Sequence, residues 1–104
     1  MKYIKKKLTI DRVVVDDIAK KFGTPTYCYS YTQLKKNINN FKKNFKSFSP
    51  LICFAIKSNT NLNLIREIQK FGLGADVVSM GELMMALKAG INPKKIVFSG
   101  VGKT

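Results

Sequence analysis

The sequence predicts an α/β fold in which parallel strands form a sheet covered by helices. Three short apolar segments of strand character, centred near Ala55, Val77 and Val97, are separated by single segments of helical length. A βαβαβ order of this kind calls for a parallel sheet packed against helices. A complete (β/α)8 TIM barrel needs about 250 residues, whereas the chain has 104. We therefore expect a partial barrel that consists of about the first three strands of the complete fold.

The net charge is +13, from 19 Lys and Arg against 6 Asp and Glu, and such a field attracts phosphate backbones. Only Arg12 and Arg66 are arginines, the side chain that favours bidentate contacts with phosphates and base edges. Lys, Asn and Ile, all frequent here, have A/T-rich codons, which favours base-composition drift over nucleic-acid recognition. We expect any nucleic-acid binding to be weak, salt-sensitive and sequence-independent.

Cysteine and histidine usage argues against metal chemistry. Cys28 and Cys53 both lie inside apolar strand-like segments, where cysteine behaves as a small buried hydrophobe. With no histidine and no paired-cysteine spacing, no metal site is expected. No apolar run of signal-peptide length follows the basic start, and no stretch approaches the roughly 20 apolar residues of a membrane span. We therefore expect a cytoplasmic protein without membrane contact.

In the first part of the chain, a helix is predicted over Val15–Phe22, with two aspartates in its first turn and Gly23 as its stop. Residues 26–30 alternate polar and aromatic side chains, which predicts a half-buried strand. Ser30 is a typical N-cap for a helix that begins at Tyr31.

The helix that begins at Tyr31 is predicted to have two contrasting faces. Four apolar side chains recur at helical spacing on one face: Leu34, Ile38, Phe41 and Phe45. A second face is basic: Lys35, Lys42 and Lys46. Such a stripe is most often solvated, although a small nucleic-acid-binding module would use it. The aromatic residues are not interleaved with the lysines, as a base-stacking platform would require.

In the second part, residues 51–56 form an almost unbroken apolar segment, as expected of a strand buried on both faces. Asn61 can cap a helix over residues 62–71, which Gly72 ends. Residues 75–78 are predicted to form the next strand.

The last predicted elements are a helix and a strand. Ser79 and Glu82 have the spacing of a capping box for a helix over residues 80–89, which Gly90 ends. Residues 96–99 are predicted to form the third strand of the parallel sheet.

Two charged residues are placed where chemistry is expected. Lys57 follows the apolar segment 51–56 and should lie at the carboxyl-terminal edge of a parallel strand, where α/β folds and barrels have their active sites. The position of Lys57 alone also fits an ordinary lysine at a strand end, where the chain meets solvent. Asp76 interrupts an otherwise apolar strand, where a buried carboxylate needs a partner such as a lysine.

The segment around Lys57 resembles a known signature. Residues 54–59 (FAIKSN), with apolar residues and a glycine at matching distances downstream, resemble the cofactor-lysine signature of the ornithine/diaminopimelate/arginine decarboxylase family. These downstream positions are Leu64, Ile65, Ile68 and Gly72. Three later segments are similar to the second and third barrel strands of the diaminopimelate decarboxylases: residues 74–83, 86–90 and 96–104. Residues 22–30 also resemble that group, so the resemblance covers most of the chain.

The resemblance implies a two-domain enzyme with an alanine-racemase-like barrel that binds pyridoxal 5′-phosphate (PLP). Residues 1–30 would contribute to the β domain, and residues 31–104 would form the first βα units of the barrel. Lys57 would bind the cofactor covalently and act in catalysis. Family members place acidic residues matching Asp76 and Glu82 near that lysine, although helix capping is an equal alternative for Glu82.

The implied reaction is decarboxylation of meso-diaminopimelate to lysine, in a homodimer. The phosphate-binding loop, the acid that pairs with the pyridine nitrogen and the partner-subunit residues all lie further downstream in the family. We therefore expect the chain to be a truncated product or part of a split enzyme, inactive alone. The alternatives are a small basic nucleic-acid-binding module or a non-functional relic.

Overall fold

A computed structural model describes residues 1–103, and the chain divides into two compact units. The first unit is Met1–Ser47, and the second begins at Phe48. Among the helices of residues 1–103, none combines the length and the apolar character needed to cross a bilayer.

The first unit begins with a three-stranded antiparallel sheet that we did not predict. Its strands are β1 (Lys2–Ile4), β2 (Lys7–Ile10) and β3 (Val13–Val14), in the order β1-β2-β3. Neighbouring strands are joined by two-residue turns, and all four turn residues have positive φ: Lys5, Lys6, Asp11 and Arg12. Asn-Gly or Asp-Gly is the usual sequence signal for such turns, and neither pair of turn residues carries it.

The two helices of the first unit begin and end as their local signals predict. α1 spans Val15–Phe22, and Gly23 ends it with a φ of 80°, which confirms the predicted stop. α2 spans Tyr31–Asn44, and the Ser30 hydroxyl accepts a hydrogen bond from the Gln33 N–H at 3.0 Å, as predicted for an N-cap. Both boundaries depend on contacts within one helical turn.

The predicted strand at residues 26–30 is wrong. This segment forms no strand, and Tyr27 and Tyr29 are 90% and 54% exposed. A strand exists only through hydrogen bonds to a neighbour, and no strand within residues 1–103 pairs with this segment. Cys28 is consequently exposed instead of buried.

The Asp11 carboxylate connects the turn between β2 and β3 to the start of α2. It accepts hydrogen bonds from the Ser30 hydroxyl at 2.7 Å and from the Thr32 N–H at 3.1 Å. The Ser30 bond, followed by the Thr32 bond, lowers the pKa of Asp11. A carboxylate at a helix N-terminus is also favoured by the helix dipole, so Asp11 and Ser30 together hold this helix end.

The faces of α2 are only partly as predicted. Ile38 is buried and Leu34 half-buried, whereas Phe41 and Phe45 are 50% and 42% exposed and stack on each other with ring centroids 4.7 Å apart. The helix ends at Asn44, so the last members of both stripes lie just beyond it. The three lysines of the basic stripe are exposed.

The second unit is a parallel α/β unit, which confirms the predicted fold class. Its strands, in the order β4-β5-β6, are β4 (Cys53–Ala55), β5 (Gly74–Val77) and β6 (Ile96–Phe98). Both neighbouring pairs are parallel. The connecting helices are α3 (Leu62–Lys70) and α4 (Met80–Lys88).

The first parallel strand is shorter than the apolar segment that predicted it. After Ala55 the chain enters a 3₁₀ turn, Ile56–Ser58. The strand is half-buried instead of buried on both faces.

The predicted boundaries of the two helices are confirmed. The Asn61 side chain accepts hydrogen bonds at the start of α3, and Gly72 and Gly90 follow α3 and α4 with positive φ.

The core of the second unit lies between the sheet and its two helices. It joins the sheet residues Ala75 and Val77, both fully buried, to Ile65 of α3 and Ala86 of α4. Because side chains alternate across a strand, the intervening residues of β4 and β5 face away from these helices. That second face of the sheet, here called the open face, carries Cys53, Ala55 and Asp76.

Candidate functional site

Lys57 lies in the 3₁₀ turn directly after β4, at the carboxyl-terminal edge of the parallel sheet. It is exposed, so its amine is accessible. In the strand register Ala55 pairs with Asp76, and Lys57 follows Ala55 by two residues. The sheet therefore brings Lys57 and Asp76 to adjacent strand ends, although no salt bridge joins them within residues 1–103.

Asp76 is half-buried in the central strand β5, and its carboxylate is hydrogen-bonded. The Ser99 hydroxyl donates to Asp76 Oδ1 at 2.5 Å. Ser99 directly follows β6, on the opposite side of β5 from Lys57. Sequence reasoning missed Ser99, because only the strand register shows that a residue 23 positions away is a neighbour of Asp76.

The negative charge of Asp76 also affects Cys53, a residue of β4 on the open face. Partial burial, and after it the negative charge of Asp76, raise the pKa of the Cys53 thiol. Cys53 pairs with Gly74, two residues before Asp76 in β5, so the two side chains are diagonal neighbours on one face. The carboxylate thus lies between Cys53 of β4 and Ser99 after β6.

Glu82 takes part in the cap of α4. Its N–H donates to the Ser79 hydroxyl at 3.2 Å, and its carboxylate accepts from the Val78 N–H at 2.8 Å. This is a capping arrangement in which the carboxylate reaches one residue further back than in the usual box. Within residues 1–103 no hydrogen bond or ion pair joins Glu82 to Lys57 or Asp76, so its catalytic role stays a prediction.

These features define a class of protein: a parallel α/β segment with an exposed lysine at the carboxyl-terminal edge of the sheet and a carboxylate on the adjoining strand, the edge where α/β folds and barrels have their active sites. Residues 31–104 match the family described as "Pyridoxal-dependent decarboxylase, pyridoxal binding domain". This chain belongs to that family. The resemblance inferred from the sequence is thereby confirmed.

The chain is similar to several diaminopimelate decarboxylases. It is 43% identical over 98 residues to that of Vibrio cholerae, which covers 94% of this chain and 24% of the relative. To that of Aquifex aeolicus it is 43% identical over 104 residues, 100% of this chain and 24% of the relative. The chain thus spans about a quarter of the length of these relatives.

A solved structure shows the same backbone arrangement. The diaminopimelate decarboxylase of M. jannaschii in complex with L-lysine matches with a TM-score of 0.89 and 40% sequence identity, over 94% of this chain and 24% of that chain. Our assignment of the chain to the amino-terminal part of an alanine-racemase-like barrel is supported by this match.

Replacing Asp76 with asparagine is expected to make Cys53 more reactive. Loss of the negative charge lowers the pKa of the thiol, so more thiolate is present at about pH 8, and alkylation should accelerate about twofold to fivefold. Iodoacetamide labelling followed by peptide mass analysis measures this rate, with the exposed Cys28 as internal reference. An unchanged ratio of Cys53 to Cys28 labelling would show that the Asp76 charge does not reach Cys53.

Proposed function

We propose that Lys57 binds PLP covalently through Nζ, in a protein that decarboxylates meso-diaminopimelate to lysine. The observation that carries the proposal is the position of Lys57, accessible at the carboxyl-terminal edge of a parallel sheet and beside the strand of Asp76. It is supported by the family match over residues 31–104 and by relatives named for this activity. The M. jannaschii relative was solved with L-lysine, which fits lysine as product.

The residues present fit the attachment of this cofactor. Lys57 is exposed, and the row of the sheet two residues before it carries the small side chain of Ala55 and the carboxylate of Asp76 on the open face. When bound, PLP supplies an electron sink for the electron pair left behind by the departing carboxylate. Lys57 anchors the cofactor, and the fixed negative charge of Asp76 favours positive charge on nearby nitrogen atoms.

We also propose the domain roles that the resemblance implies. Residues 1–30 contribute to the β domain, residues 31–104 form the first βα units of the PLP barrel, and the whole protein is a homodimer. The family match begins at Tyr31, where α2 starts, and the first residues form a separate antiparallel sheet. The start of the family match supports a change of domain near residue 30, whereas the compact units divide later, between Ser47 and Phe48, so that α2 lies in the same unit as the antiparallel sheet.

The nucleic-acid-binding alternative gains no support from the first unit. The basic stripe of α2 is exposed, but Phe41 and Phe45 stack on each other. Rings that are paired in this way do not present separate platforms for successive bases.

The proposed attachment is tested by trapping. The chain is incubated with PLP, the adducts are reduced with borohydride, and labelling of each lysine is measured by peptide mass analysis. We expect Lys57 to be labelled at least about threefold more than the exposed reference lysines, because the strand register brings it to the strand end next to that of Asp76, at the edge of the sheet where a cofactor can be positioned. Lys35→Met is the matched control and should leave Lys57 labelling unchanged. Uniform labelling of all lysines would contradict the proposal.

A further inference from the structure

We propose that Ser99 is a positioning residue, which holds the Asp76 carboxylate at the edge of the sheet where Lys57 lies. The inference rests on the function proposed above and adds to it a residue that directly follows β6. Ser99 acts through Asp76 and is assigned no contact with cofactor or substrate.

The strand register places the three residues in a symmetric arrangement. Ala55, Asp76 and Val97 form one row across the sheet, since Ala55 pairs with Asp76 and Asp76 with Val97. Lys57 and Ser99 each follow this row by two residues, on opposite sides of the central strand. The bond from the Ser99 hydroxyl to Asp76 Oδ1 therefore draws the carboxylate towards the carboxyl-terminal edge.

Ser99 is well suited to hold a carboxylate because its backbone is fixed. Its N–H donates to the Val77 carbonyl at 2.9 Å, which continues the pairing of β5 and β6 beyond the strand ends. The next residue, Gly100, lies so close to the residue that follows β5 that a Cβ there would be 2.4 Å from the Val78 carbonyl oxygen. The hydroxyl is thus carried by a segment packed tightly against the strand of Asp76.

The hydrogen bond also has a chemical consequence. A hydroxyl that donates to a carboxylate forms a short, charge-assisted bond, which restricts rotation of the carboxylate about its side-chain bonds. Only Oδ1 is engaged by this bond, and within residues 1–103 Oδ2 has no hydrogen bond. A carboxylate fixed in this way would favour positive charge at the neighbouring end of β4, where Lys57 lies, without reorganising first.

The test is borohydride trapping of PLP on the whole chain, with the wild type, Ser99→Ala, Ser99→Thr, Asp76→Asn and the double variant S99A/D76N. Ser47→Ala, a substitution of an exposed serine in the first unit, is the matched control. We expect S99A to lower Lys57 labelling about threefold, towards the level of the exposed Lys35 and Lys42, whose own labelling stays unchanged. Ser99→Thr keeps the hydroxyl and should restore most of the labelling.

The double variant distinguishes positioning from a separate effect. If Ser99 acts through Asp76, S99A causes no further loss once Asp76 is asparagine. Three outcomes would overturn the inference: wild-type labelling in S99A, an equal loss in the D76N background, or a loss of the circular dichroism spectrum in S99A, which would assign Ser99 to stability. Failure of the proposed function looks different, because Lys57 would then show no preferential labelling in the wild type or in any variant.

Discussion

The isolated 104-residue polypeptide is expected to release no carbon dioxide from meso-diaminopimelate above the background of free PLP. Decarboxylation requires the scissile bond to be held in one orientation to the cofactor ring, and positioning of this kind supplies about 7 to 11 kcal/mol of barrier reduction. Its loss corresponds to a factor of about 10⁵ to 10⁸ in rate. The chain spans only 24% of the relatives it matches, and by resemblance the phosphate cradle and the pyridine partner lie in the remainder.

The measurement is carbon dioxide release from carboxyl-labelled substrate. Free PLP gives the background rate, Lys57→Ala gives the rate of a chain without the attachment site, and the Vibrio cholerae relative serves as positive control. Turnover that exceeds the background and disappears in Lys57→Ala would show that these 104 residues hold a working site.

Replacing Gly74 with alanine is expected to destabilise the second unit by about 3 kcal/mol or more. Gly74 begins the central strand β5 and pairs with Cys53. A Cβ at this position would lie 2.1 Å from the Lys95 carbonyl oxygen and 2.9 Å from Cys53 Sγ. The nearer atom belongs to the backbone and cannot move away as a side chain can, so the strand itself must shift.

Urea denaturation followed by circular dichroism measures this effect. Gly102→Ala is the matched control: a Cβ there meets nothing within 4 Å, so its effect should stay within about 0.5 kcal/mol. A second control is Gly81→Ala at the second residue of α4, where the nearest atom to a Cβ lies at 3.8 Å; it should stabilise the protein by about 0.4 to 1 kcal/mol because alanine restricts the unfolded chain. Equal midpoints for Gly74→Ala and Gly102→Ala would refute the steric argument.

The sequence missed the sheet of the first unit and placed a strand where none forms. The turns at Lys5 and Lys6 and at Asp11 and Arg12 adopt positive φ without a glycine, and among their four residues only Asp11 is of a type enriched at positive φ. Residues 26–30 have the alternation of a strand, but alternation describes only one partner of a pair. Whether a segment forms a strand depends on a neighbour that its own residues do not specify.

By itself the sequence determined the helices, the parallel order of the second unit and the family. Caps and stops such as Ser30, Asn61 and Gly72 act within one turn of a helix, so their signal is local and can be recognised in the residues. The motif around Lys57 is equally local, and alternation with helices is what makes parallel strands predictable.

Only the tertiary structure decided how the open face is composed. The proximity of Asp76 to Ser99 and to Cys53 depends on the register of β4, β5 and β6, and a slip of one residue would move each side chain to the opposite face. The role of Glu82 in the cap was predicted from spacing, but its actual partner, the Val78 N–H, depends on the path of the chain between β5 and α4. Register and chain path result from the packing of the whole unit, because neighbouring strands are brought together by contacts between residues far apart in the sequence.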